Sequence, residues 1–154
     1  DKESLNKWII ANSSHVIDAA LYLIGDIKNM HSNVSGKSSI SWHPTGSIFT
    51  GSGTSTNNIP FTYHANWLSS GRWSIEVLTK KRRFYLKPME NLQSQNIGEI
   101  EIKKIAINDE LDKQYKPGLY KQVLNFTENN FDDFCRIKDQ VKRIDNIYNK
   151  IGNY

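Results

Sequence analysis

The sequence predicts an α+β fold: an open, mostly antiparallel β-sheet with helices packed on one face. Three observations predict this class. An amphipathic helical pattern lies near the start of the chain, short runs of β-branched and aromatic residues separated by turn residues follow, and two more helical patterns close it. Because 154 residues is near the commonest size of one domain, a single domain over 1–154 is expected.

The first helix is predicted within WIIANSSHVIDAALYLIG, residues 8–25. Its apolar residues return at helical spacing, and Gly25 stands just past its end, where glycine commonly terminates a helix. Three polar residues can cap its start by accepting hydrogen bonds from unpaired backbone N–H groups: Asn12, Ser13 and Ser14.

The middle of the chain predicts β-strands separated by Gly, Pro, Asn and Ser clusters. The predicted strands are 28–34, 39–43, 47–50, 61–68, 73–79, 82–87 and 99–107. Two short polar connections, LSSGR after Trp67 and TKKRR after Leu78, indicate consecutive hairpins and therefore an antiparallel sheet.

A glycine-rich stretch, GSIFTGSGTSTNN, predicts the end of a strand followed by a mobile loop. It lacks the Lys and the following helix that a phosphate-binding P-loop requires, so no nucleotide cradle is expected there.

Two helical patterns follow the strands. One begins at Pro117 and carries Leu119, Val123 and Phe126 at helical spacing, with Tyr120 and Leu124 beside them. The last carries Ile137, Val141, Ile144, Tyr148 and Ile151, ends at Gly152, and is expected to turn Lys138, Asp139, Lys142, Arg143, Asp145 and Lys150 outward.

The composition, 38% hydrophobic and 23% charged, is that of a folded globular protein. The net charge of +4 is modest and the acidic residues are dispersed, so charge alone does not indicate nucleic acid. The lone Cys135 excludes an internal disulfide and fits a reducing compartment, and no role is assigned to it. No apolar run could cross a bilayer and the first residues lack a signal peptide, so we expect a cytoplasmic chain without membrane contact, cut from a longer protein.

The candidate chemistry centres on His15 and Asp18, which stand three residues apart on one face of the first helix. The positive end of that helix disfavours a charged imidazole at His15, and a neutral ring can accept a proton from a substrate hydroxyl. Asp18 can orient the ring or bind substrate groups. A buried His–Asp pair that satisfies only itself is the alternative.

Three other features of the sequence bear on binding: the remaining histidines, Arg72 and the basic run 80–83. His31, His43 and His64 fall on different predicted strands without metal-ligand spacing, so no metal site is expected. Arg72 can bind a substrate carboxylate or phosphate, or it is an ordinary surface arginine. The basic run 80–83, flanked by aromatic residues, has the pattern of a single-stranded nucleic-acid platform, but four charges at a hairpin turn usually form a solvated tip, so no nucleic-acid partner is expected.

The helix motif NSSHVIDAALYLIG resembles the glucose–fructose oxidoreductase, inositol dehydrogenase and rhizopine catabolism superfamily, whose C-terminal domain opens with sHxiDxxxyLxG. YHANWLSSGRWSIEVLTKKRRFYLKPMENL, GLYKQVLNFTE and CRIKDQVKRIDNIYNKI also resemble that domain, so the resemblance covers nearly the whole chain. It implies a substrate-binding and oligomerisation domain of an NAD- or NADP-dependent oxidoreductase that acts on a hydroxyl or keto group of a sugar or sugar nucleotide.

The resemblance implies further that the dinucleotide is bound by an N-terminal Rossmann domain, which also supplies a catalytic Lys from an E-K-P motif. Neither that motif nor a GxGxxG turn opening a helix occurs in 1–154, so the isolated domain is expected to be inactive. In many members an Asp precedes the helix His by four residues, whereas Ala11 stands there in this chain. His15 is therefore the expected catalytic residue, with Asn12, Asp18 and Arg72 as expected substrate contacts.

The family's open sheet face commonly joins a second subunit, which implies a homo-oligomer. An apolar outer face would explain the many aromatic residues, with simple core packing as the alternative. Two other functions stay open. One is a catalytically silent relative that binds a sugar or a partner protein, suggested by Ala11. The other is a nucleic-acid-binding sheet centred on 80–83.

Overall fold

The computed structural model describes all 154 residues, which form two compact units. The first unit comprises Asp1–Gly71 and Arg136–Tyr154, and the second comprises Arg72–Cys135. Each unit contains one open antiparallel sheet, of three strands in the first and four in the second. The predicted α+β class is confirmed, although the strands are divided between two sheets.

The helices stand at both ends of the chain and within the second unit. They are α1 (Lys2–Asn6), α2 (Ser14–Ile24), α3 (Glu110–Gln114), α4 (Leu119–Thr127), α5 (Ile137–Arg143) and α6 (Asn149–Gly152). Two π-helical segments, Ile9–Ser13 and Ile144–Tyr148, continue directly into α2 and α6. The two later helical patterns are confirmed. No helix has the length and apolarity needed to cross a membrane.

The strands pair only with their neighbours in sequence within each unit. The first sheet is β1 (Ile27–Ser35), β2 (Ile48–Ser55) and β3 (Pro60–Asn66). The second is β4 (Ile75–Leu78), β5 (Arg82–Leu86), β6 (Leu92–Asn96) and β7 (Lys103–Lys104). Only two residues of the predicted strand 99–107 are extended into the sheet, and β6 was not predicted, because its Gln, Ser and Asn residues lack a strand composition.

The helix that carries His15 starts earlier than the capping residues indicated. Trp8 already has helical backbone angles, and Ser13 makes no side-chain cap hydrogen bond. The hydroxyl of Ser14 instead donates to the Ile10 carbonyl at 2.8 Å. The predicted N-caps are wrong because Ile9, only 2% exposed, must join the helix to reach the core. The predicted end is confirmed at Gly25, which has φ 88° and donates to the Leu21 carbonyl.

The glycine-rich stretch is strand and not loop, which corrects the prediction. Gly51 lies opposite Tyr63, and Gly53 lies opposite Phe61 in the β2–β3 register. A Cβ at either glycine would overlap the aromatic ring of its partner. Glycine therefore makes room for rings that lie across the strand, which a composition-based prediction of a mobile loop misses.

Two more local predictions are wrong and one is confirmed. Residues 39–43, expected as a strand, form turns between β1 and β2. The LSSGR segment is no hairpin, because β3 pairs with β2 and β4 pairs with β5. The TKKRR hairpin is confirmed: the Thr79 amide donates to the Arg82 carbonyl at 2.9 Å.

The buried apolar core lies wholly in the first unit, where helices cover one face of the β1–β3 sheet. Its members are Ile9, Leu21, Phe49, Ile147, Tyr148 and Ile151. Half-buried aromatic residues, Tyr63 and Trp67, pack against this core. In the second unit no side chain is fully buried.

The outer face of the first sheet is polar, contrary to the expected apolar face. Strand alternation and register put three rows on this face, in which every residue but Pro60 is polar: Asn29, Thr54 and Pro60; His31, Ser52 and Thr62; Asn33, Thr50 and His64. The aromatic residues of the same strands point to the covered face. Core packing therefore accounts for the aromatic residues of these strands.

Candidate functional site

His15 lies in the first turn of α2, with its side chain exposed. Because the helix runs on from Trp8 through the π-helical segment, His15 stands about two turns inside it. His15 therefore does not lie at the N-terminal end of the helix, where the sequence had placed it. Ala11 is exposed and Asn12 is half-buried, both within the π-helical segment.

Asp18 is held by the C-terminal helical region. Its Oδ1 accepts a hydrogen bond from the Tyr148 hydroxyl and another from Arg143 Nη1 at 3.1 Å. Arg143 Nη2 donates to Asp26 Oδ1 at 3.2 Å, so one guanidinium joins two carboxylates. The Asp18 and Arg143 side chains are 25% and 18% exposed, which limits the screening of their interaction by water.

The Tyr148 hydroxyl stays protonated in this arrangement. Burial raises the pKa of Tyr148, and the hydrogen bond to the Asp18 carboxylate raises it further. Tyr148 is fully buried, so its ring packs in the core while its hydroxyl reaches the carboxylate. These contacts make Asp18 an anchor: they fix the rotation of α2 about its axis and its position along that axis relative to the helical segment that carries Arg143 and Tyr148.

Arg143 and Tyr148 were not recognised as site residues from the sequence. Arg143 was expected on the outward, solvated side of the last helix, and this is wrong. The residues that follow Arg143 form a π-helical turn, which is wider than an α-helical turn and shifts the angular positions of side chains. A strictly α-helical periodicity therefore assigns the wrong face to Arg143.

Arg72 lies in the second unit and its side chain is 73% exposed. Its Nη2 stands 3.7 Å from Glu90 Oε1, a distance at which an exposed ion pair contributes little. This exposure is compatible with both hypotheses for Arg72, a substrate contact and an ordinary surface arginine.

A second polar arrangement surrounds His43, which is fully buried. Its Nδ1 lies 2.9 Å from the Gly46 carbonyl, and its Nε2 lies 2.7 Å from the Tyr154 hydroxyl. Burial lowers the pKa of His43, because the charged ring would lose its hydration. Trp42, Phe49 and Trp67 contact the imidazole edge to face. With both ring nitrogens occupied and no open side, His43 has a structural role.

The described residues form neither a metal site nor a phosphate cradle. No group of three His, Cys, Asp or Glu side chains is placed to hold a metal ion. The glycine-rich strand β2 cannot cradle a dinucleotide phosphate, because rings cover Gly51 and Gly53 and no helix follows.

Comparison of the chain with known proteins yields no matching family model, no matching curated protein and no matching solved structure.

Proposed function

We propose that this chain is the substrate-binding and dimerisation domain of an NAD- or NADP-dependent oxidoreductase of the superfamily that its helix motif resembles. The substrate is a sugar or sugar nucleotide, and the reacting group is a hydroxyl or keto group. One observation carries the proposal: the motif histidine, His15, is exposed on a helix that the Asp18 anchor holds in place.

His15 supplies the acid–base group of this proposal. An exposed imidazole on a rigid helix can take the proton of a substrate hydroxyl or return it. Asp18 binds Arg143 and Tyr148, so its contribution is to hold the helix that presents the imidazole. Ala11 cannot replace the carboxylate of other family members, so His15 carries the proton transfer in this chain.

The dinucleotide does not fit the residues described. The only stretch with closely spaced glycines is covered by Tyr63 and Phe61, and it leads into no helix. The proposal therefore assigns NAD or NADP to a separate nucleotide-binding domain, and residues 1–154 alone do not turn over substrate.

The experiment is a turnover assay of the full-length protein with NAD⁺ and NADP⁺ against a panel of sugars and sugar nucleotides. His15→Ala is compared with His64→Ala, which removes an exposed histidine from β3. Loss of an acid–base group typically lowers kcat about 10²- to 10⁴-fold, and we expect that loss for His15→Ala alone. Equal turnover in the two variants would remove His15 from the reaction.

A catalytically silent relative is the second candidate, favoured by Ala11. It predicts that the full-length protein binds a sugar nucleotide but reduces no nicotinamide. Calorimetric titration of the same panel separates the two functions, since the enzyme both binds and turns over its substrate.

A further inference from the structure

The β4–β5 hairpin concentrates positive charge in the second unit. Lys80, Lys81, Arg82 and Arg83 are consecutive at its tip. Only Arg83 is neutralised there, by an ion pair with Glu76. The side chains of the other three cations make no ion pair or hydrogen bond. Three uncompensated charges therefore stand within one turn.

A groove of about 220 Å³ opens beside this tip, between the ends of β4, β5 and β6. The register places Arg82 opposite Asn96, and both residues line the groove. At about 30 Å³ per water molecule, the groove has room for roughly seven waters. A phosphate or diphosphate group fits that volume.

Most polar side chains that line the groove already make hydrogen bonds within the protein. Gln95 accepts from the Tyr85 hydroxyl at 2.7 Å and donates to the Glu99 carbonyl at 2.9 Å. The Thr79 hydroxyl donates to the Arg82 carbonyl at 2.9 Å. The guanidinium of Arg82 is left with all its donors available. This planar fork of N–H groups matches the oxygens of a phosphate.

The surroundings favour an anion with an apolar portion. Leu78 and Ile97 line the groove and are 71% and 81% exposed. The nearby carboxylate of Glu99 is compensated, because it accepts from Asn96 at 3.2 Å and lies 3.7 Å from Lys103 Nζ. Repulsion of an incoming anion is thereby reduced.

We propose that this groove binds a small phosphate ester that carries a ring. Arg82 contacts the phosphoryl oxygens, and Leu78 and Ile97 contact the ring of the ligand. Lys80 and Lys81 add a positive field that attracts the ligand. This proposal does not depend on His15 or on the proposed oxidoreductase function. The groove recognises its ligand by charge, and binding can be measured without turnover.

The test titrates the full chain with inorganic pyrophosphate and with phenyl phosphate by calorimetry at low salt. Arg82→Gln removes the phosphate contact, Ile97→Ser removes the ring contact, and Lys121→Gln removes one exposed charge from α4 as the matched control. We expect Arg82→Gln to weaken both ligands about 10- to 100-fold, as loss of charge-assisted hydrogen bonds does. Ile97→Ser should weaken phenyl phosphate alone.

Three results would overturn the proposal. They are the absence of saturable binding to the unsubstituted chain, equal weakening by Arg82→Gln and Lys121→Gln, and binding of a thymidine oligonucleotide without binding of either small phosphate. The last result would assign the basic tip to nucleic acid. Circular dichroism of Arg82→Gln verifies that the hairpin is folded.

Discussion

The Nε2 atom of His43 lies 2.7 Å from the hydroxyl of Tyr154, and this contact joins the loop before β2 to the segment after α6. The direction of each hydrogen bond follows from the partners. The Gly46 carbonyl can only accept, so Nδ1 donates and the neutral ring accepts from Tyr154 at Nε2. The Tyr154 oxygen in turn accepts from the Ile9 amide at 3.2 Å. These three hydrogen bonds form a relay that connects three distant segments, and the Tyr154 hydroxyl is the group that His43 and Ile9 share.

This relay predicts that the first unit loses stability in mild acid. Burial lowers the pKa of His43 below its usual 6.5, so the unfolded chain takes up this proton before the folded one. The stabilisation is complete above pH 6.5 and is lost as the pH falls through the folded-state pKa. Proton NMR should show that His43 titrates below 6.5, and urea unfolding should show a falling midpoint over that range. A His43 titration at or above 6.5 would contradict the relay.

Tyr154→Phe tests the other half of the relay. The substitution leaves His43 Nε2 and the Ile9 amide without their partner, and an unsatisfied buried group costs about 1–3 kcal/mol. Burial raises the pKa of Tyr154 to about 12, so its hydroxyl remains a donor throughout the range of the measurement. The free energy of unfolding in urea measures the loss. Tyr120→Phe, at an exposed position on α4, is the control and should change it little.

If Asp18 anchors α2, breaking its ion pair with Arg143 should lower the free energy of unfolding much more than breaking the exposed pair between Glu76 and Arg83. Asp18→Asn removes the charge that faces Arg143 in a setting shielded from solvent, and we expect a loss of about 1–3 kcal/mol in the free energy of unfolding. Glu76→Gln breaks the exposed pair with Arg83, where water and salt screen the interaction, so its effect should be small. Equal effects of the two substitutions would show that Asp18 does not anchor α2.

The sequence predicted the class of the fold from local periodicity, and it failed where distant residues decide the structure. Gly25 was identified correctly as a helix end because the signal lies within one turn. Gly51 was misassigned because its reason, the ring of Tyr63, comes from the next strand. Arg143 was misassigned because a π-helical turn, which depends on packing against the core, changes the side-chain register. His15 was singled out by its motif, whereas Tyr148 looked like any apolar core position.

Because aromatic rings lie over β2, we expect that its glycines cannot be replaced by larger residues without loss of stability. Gly51→Ala would place a methyl group against the Tyr63 ring and the His31 carbonyl, and such overpacking costs about 1–3 kcal/mol. Gly71→Ala is the control, because nothing lies within 4 Å of its Cβ position. Thermal unfolding should show a lower Tm for Gly51→Ala and little change for Gly71→Ala. An unchanged Tm for Gly51→Ala would mean that the Tyr63 ring does not lie over the strand.

The polar outer face of the first sheet predicts a weak dimer if the proposed oligomer forms there. Its three rows carry no Lys, Arg, Asp or Glu side chain, so two copies meet without repulsion between such charges. With strands about 4.8 Å apart and a rise of about 3.3 Å per residue, the face spans roughly 350 Å². Stable complexes bury about 800 Å² per partner. Contact through this face alone should therefore be reversible and concentration-dependent.

Ser52→Lys tests that surface at the centre of β2, between His31 and Thr62 in register. Two copies of the lysine would approach each other across the interface, and we expect the dimer Kd to rise at least about tenfold, since like charges at an interface cost several kcal/mol. Sedimentation velocity over a range of concentrations measures the Kd. Ser70→Lys adds the same charge at an exposed site outside the sheet and should leave it unchanged. A chain that stays monomeric, or equal effects of both lysines, would exclude this face as the dimer contact while leaving the role of His15 to its own assay.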